Sequence, residues 1–100
     1  MVVPDSIRLL LHDYAVPAQL EGPVWERAIM ERVMERGGWD EMRWLVAELG
    51  RARLGEYLRE RGHRVLPPRE LRFWSLVSGI PEAAADEWVR SARDRMRSWR

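Results

Sequence analysis

The sequence predicts an all-α protein, a compact single-domain bundle of five or six short helices over residues 1–100. Three observations predict it. Apolar residues recur at spacings of three and four, and no segment shows the strict alternation of a strand. Prolines and glycines stand between these periodic stretches, where they start and stop helices. Six tryptophans in a chain that is 46% hydrophobic supply apolar bulk for one core.

Pro4-Asp5-Ser6 opens the first helix, with Ile7, Leu10 and Leu11 at i, i+3 and i+4. Pro17, Gly22 and Pro23 make Asp13 to Pro23 a loop. Pro23 suits the first turn of a second helix reaching about Arg36, whose buried stripe is Trp25, Ile29 and Val33 with Ala28 beside it. Gly37-Gly38 ends it. Asp40 is the expected cap of a third helix that turns Met42, Leu45, Val46 and Leu49 inward and stops at Gly50.

A fourth helix, about Arg51 to Arg61, has Leu54, Tyr57 and Leu58 on its apolar edge and is closed by Gly62. Gly55 weakens it by roughly 1 kcal/mol relative to alanine. The fifth follows Pro67-Pro68 and buries Leu71, Trp74 and Val77 or Ser78, with Phe73, Leu76 and Ile80 widening the stripe. Pro81 begins the last helix, about 82–99, which projects if its apolar line outruns the core. That line is Ala85, Trp88, Val89, Ala92, Met96 and Trp99.

All 17 basic residues are arginine, and lysine, threonine, asparagine and cysteine are absent. This looks first like GC-rich codon usage with a thermophile-like scarcity of amides. Without cysteine there is no disulfide, thiolate nucleophile or cysteine-ligated zinc. Ile7 to Leu11 is too short for a signal peptide, and no run approaches the roughly 20 apolar residues that span a bilayer. A cytoplasmic location without membrane partners is expected. The net charge is +1, with 33% of residues charged and the two signs interleaved over most of the chain.

No constellation specifies a reaction. His12 and His63 have no helical ligand partner at i+4. His12-Asp13-Tyr14 has the residue types of a general base, but such residues more often end a helix. Glu31 and Glu35 lie one turn apart, interleaved with Arg27, Arg32 and Arg36 as on a salt-bridged surface. Gly37-Gly38 lacks the spacing of a phosphate loop. The chain is therefore expected to be non-enzymatic, with no catalytic residue, cofactor or metal.

Two surfaces remain. From Val89 to Arg100 five arginines face one acid, Asp94. Trp88, Arg93, Met96, Arg97, Trp99 and Arg100 together have the aromatic and guanidinium chemistry of a protein interface. They fit an acidic-rimmed apolar groove on a protein partner; the sequence also leaves a homo-oligomer open. The alternative is a helix-turn-helix-like DNA-binding regulator built around Gly50, with Arg51, Arg53, Arg59 and Arg61 meeting nucleic acid. Against it, Glu56 and Arg59 fall where that motif buries apolar residues.

Four blocks occur in order: Leu9-Leu10-Leu11-His12-Asp13, Ile29 to Gly37 with Arg32-Val33 inside, Arg43-Trp44-Leu45 through Gly50, and Leu66-Pro67-Pro68-Arg69 through Phe73-Trp74-Ser75 to Gly79-Ile80. Through these, about seven-tenths of the chain resembles a family of small bacterial and archaeal all-helical proteins. That family is often encoded beside nucleotidyltransferase-like toxins of abortive-infection type. The resemblance implies an antitoxin-like partner of such a toxin and carries no catalytic motif. Where the family has a capping serine this chain has Pro67, so the side-chain cap is expected to be lost and the helix kept.

Overall fold

Proline, with its fixed φ and missing donor, marks the start of several helices in this chain. A computed structural model describes residues 2–17 and 20–98. The chain is all-α, and among the described residues no strand forms. It divides into two compact units, Met1–Glu48 and Leu49–Arg100.

In the first unit, α1 (Asp5–Leu10) follows Pro4, whose carbonyl accepts the Ile7 and Arg8 N–H groups at 3.0 and 3.1 Å. α2 (Pro23–Arg36) takes Pro23 at its first position and packs against α1. Ile7, Leu11, Leu20, Ala28, Ile29 and Val33 are buried. Met30 and Met34 are buried too, so the inward face of α2 is wider than the predicted stripe. Trp25 is only half-buried. A Cβ on Gly37 would lie 2.7 Å from the Val33 carbonyl oxygen, and the helix stops there as expected.

α3 (Trp39–Leu49) starts earlier than predicted. Gly38, not Asp40, precedes it, and Glu41 Oε1 reaches back towards the Gly38 N–H at 3.4 Å. Asp40 instead pairs with Arg43 at 3.1 Å. Leu45 alone of the predicted inward positions is fully buried; Met42, Val46 and Leu49 are half-buried.

In the second unit, α4 (Arg51–Tyr57) runs without a break into a π turn, Leu58–Gly62, and then into α5 (His63–Val65). Gly62 therefore does not close the helix. Its φ of −54° is helical, and the run ends at Leu66, where the following Pro67 disfavours helical backbone. Gly62 is present for space: a Cβ there would lie 2.8 Å from Leu58 Cδ2 and 3.1 Å from Tyr57 Cε2. Leu54, Tyr57 and Leu58 are buried as predicted.

α6 (Pro68–Val77) has Pro67 before it with no side-chain cap, and the Leu71 N–H donates to the Pro67 carbonyl at 2.9 Å. The helix forms without the serine. Its end is a Schellman motif: Ile80 N–H bonds the Ser75 carbonyl, Gly79 N–H the Leu76 carbonyl, and Gly79 takes φ +71°. α6 packs on α7 (Glu82–Ser98). Leu71, Trp74 and Ser75 are buried, whereas Leu76 is 80% exposed and does not widen the stripe. On α7 the buried line is Ala85, Val89 and Ala92. Among the described residues no helix is long and apolar enough to cross a membrane.

Candidate protein-binding surface

α5 packs on α7, and two side chains fix the contact. The His63 ring stacks on Trp88 with centroids 5.0 Å apart and planes at 23°. His63 Nδ1 lies 2.7 Å from the Leu58 carbonyl oxygen; a carbonyl only accepts, so Nδ1 carries the donated proton. Two turns further along α7, Arg95 Nη2 donates to the carbonyls of His63 and Leu66, each at 3.4 Å. Carbonyls at a helix C-terminus lack intrahelical partners and attract a cation.

Beyond this clamp, Ala92, Arg95 and Met96 of α7 and the segment Val65-Leu66-Pro67 frame an open groove of about 200 Å³. Five of the six lining residues are apolar. Met96 is 57% exposed at its edge, and Val65 is exposed across from it. The buried line of α7 thus stops at Ala92, and Met96 belongs to the surface.

Besides Met96, the predicted partner-binding residues divide into three groups. Trp88 is half-buried in its stack with His63. Arg93 is exposed and, among the described residues, makes no ion pair, while Arg97 is exposed and donates to Asp94. Trp99 and Arg100 lie outside the described residues. Val65, Leu66, Pro67 and Arg95 are not among the partner-binding residues that the sequence suggests, because packing rather than spacing brings them to Met96.

The alternative set is less coherent. Arg51, Arg59 and Arg61 are exposed, but Arg53 is half-buried and pairs with Glu56 at 3.7 Å. The predicted recognition helix is interrupted, since α4 has seven residues before the π turn.

The His12-Asp13-Tyr14 cluster is a clamp. Arg32 donates to both carboxylate oxygens of Asp13 at 2.6 Å and to the Leu10 carbonyl at 3.0 Å. Its guanidinium lies 5.2 Å from the Tyr14 ring centroid, and Tyr14 meets Trp25 edge-on at 5.7 Å. The hydrogen bonds from Arg32 hold the Asp13 carboxyl down at about 2, and Asp13 raises Arg32 above its ordinary value. Such a carboxylate is a poor base at neutral pH. Among the described residues, no group of three or more histidines and carboxylates is arranged to hold a metal ion.

A second groove, of about 360 Å³, lies between α6 and the start of α7 and is lined by Arg72, Leu76, Ile80, Glu82 and Ala85. Arg72 pairs with Asp86 at 2.6 Å beside it. No protein-family model, curated protein or solved structure matches this chain.

Proposed function

We propose that this chain is a non-enzymatic protein-interaction module that binds and occludes a partner enzyme through the Met96 end of α7. The observation that carries the reading is the exposed Met96 at the lip of an apolar groove, with Arg93 and Arg97 on the adjoining surface. Methionine adapts to irregular apolar partners, and arginine is enriched where interfaces concentrate binding energy. The resemblance to antitoxin-like proteins points to a nucleotidyltransferase-like toxin, encoded next to this chain, as the partner.

Occlusion needs a rigid wall that enters the enzyme's acidic-rimmed cleft. The Arg95 clamp and the His63–Trp88 stack provide such a wall by pinning α5 to α7. Co-expression with the product of the adjacent gene tests the reading. A stable complex that weakens at least about tenfold on Met96→Glu supports it. Unchanged binding after deletion of Arg95–Arg100 counts against it.

A DNA-binding role is the second reading, and Arg51 and Arg59, exposed and without an ion pair among the described residues, favour it. Affinity for the chain's own promoter that falls steeply with salt is its signature.

A further inference from the structure

The net charge of +1 conceals an asymmetry that the division into two units brings out. Residues 1–48 hold five arginines against nine acids, a net charge of −4. Residues 49–100 hold twelve arginines against seven acids, a net charge of +5. The groove at Met96 lies in the basic unit. Arg93 and Arg97 are exposed within one turn of Met96 on α7; among the described residues Arg93 makes no ion pair and Arg97 pairs with the exposed Asp94.

An occupant suited to this groove presents one large apolar side chain flanked by carboxylates. The chain carries that feature itself. Trp39, at the start of α3, is 67% exposed and is followed directly by Asp40 and Glu41. Among the described exposed large hydrophobics of residues 1–48, Trp39 alone has two acids after it. The sizes agree as well: a void of about 150 Å³ takes a benzene ring, so an open groove of about 200 Å³ admits the edge of an indole.

We infer that the Met96 groove of one copy receives Trp39 of a second copy, with Asp40 and Glu41 of that copy set against Arg93 and Arg97. The contact joins two different patches, so assembly continues until it closes, as a dimer with two reciprocal contacts or as a larger ring, or until a filament grows. Asp40 gives up its exposed pair with Arg43 and Glu41 its long 3.4 Å contact with the Gly38 N–H, both at little cost, because such exposed interactions contribute little. The self-contact does not depend on the partner enzyme proposed above; where both exist they compete for Met96, so the partner dissolves the assembly.

Sedimentation of the full chain, up to about 1 mM, tests this directly. In about 0.1 M salt, where screening acts over about 10 Å, the mean mass rises with concentration. In about 1 M salt, with screening over about 3 Å, it falls towards the monomer. Trp39→Ala and the double variant Arg93→Glu/Arg97→Glu each weaken association at least about tenfold. Met96→Ser repeats the second result without touching the Arg97–Asp94 pair. Circular dichroism stays unchanged in all three, because every altered side chain is exposed.

Mixing Trp39→Ala with the double-arginine variant joins the one intact groove to the one intact tryptophan and gives a heterodimer that grows no further. Three results would overturn the inference: a wild-type chain that stays monomeric throughout, Trp39→Ala that associates like wild type, or a mixture that does not pair.

Discussion

Alanine at Gly62 and alanine at Gly55 should move stability in opposite directions. Both glycines sit in helical backbone within the Arg51–Val65 run, and alanine favours such backbone by about 1 kcal/mol at either site. At Gly62 the new Cβ would lie 2.8 Å from Leu58 Cδ2 and 3.1 and 3.3 Å from Tyr57 Cε2 and Cδ2. Both neighbours are buried and cannot swing aside. Overpacking of this kind costs about 1–3 kcal/mol, which exceeds the propensity gain and leaves a net loss of about 1 kcal/mol.

At Gly55 the nearest atoms are Arg59 Nη1 at 3.3 Å, on an exposed side chain free to move, and the Ser78 carbonyl oxygen at an ordinary 3.6 Å. There the gain survives nearly whole, and the two variants differ by about 2 kcal/mol. For a domain of this size that separates their melting temperatures by roughly 10 °C. Thermal and urea unfolding, followed by circular dichroism, measures it. If Gly62→Ala proves as stable as Gly55→Ala, the close packing around the π turn is wrong.

Asp13 offers a test in pH. Its carboxyl sits at about 2 in the folded chain against an ordinary 3.8, so the clamp on Arg32 is fully present above about pH 4 and is lost as pH falls through 2. A carboxyl NMR titration should find Asp13 near 2 and return it to the ordinary range in Arg32→Gln. Trp74→Ala removes a ring that is almost wholly buried and should cost about 3–5 kcal/mol, whereas Leu76→Gln, two residues on, should stay within about 0.5 kcal/mol by denaturant unfolding. Similar losses at both positions would contradict the orientation of α6.

Helix starts were legible wherever proline set them, at Pro23 and Pro68, because a fixed φ and a missing N–H suit a first turn whatever the tertiary context. The C-terminal stop at Gly79 was legible for the complementary reason, its positive φ. Residue type misled at α6. Leu76 drew attention as an apolar side chain, yet Leu71, Trp74 and Ser75 follow the helical period and Leu76 does not. Gly62 reads as a stop because glycine usually is one; here its small size matters, which only the neighbouring Tyr57 and Leu58 rings and methyls disclose.

The candidate surface was half legible. Met96 and its arginines stand out by composition, but the opposing wall, Val65 to Pro67, lies some thirty residues away in sequence and reaches α7 only through packing. Asp13 reads from sequence as a helix-end residue, and its pairing with Arg32 is not legible because Arg32 lies in the next helix. Charge asymmetry was present in the sequence throughout, and it acquires meaning only with the boundary at Glu48.

Methyl NMR of methionine-labelled chain tests the central claim most directly. Met30 and Met34 are buried references, and Met96 is exposed at the groove. At a dilution where the chain is monomeric, adding the purified product of the adjacent gene should shift or broaden the Met96 methyl and leave Met30 and Met34 in place. A complex that forms while the Met96 resonance stays unmoved would contradict the account.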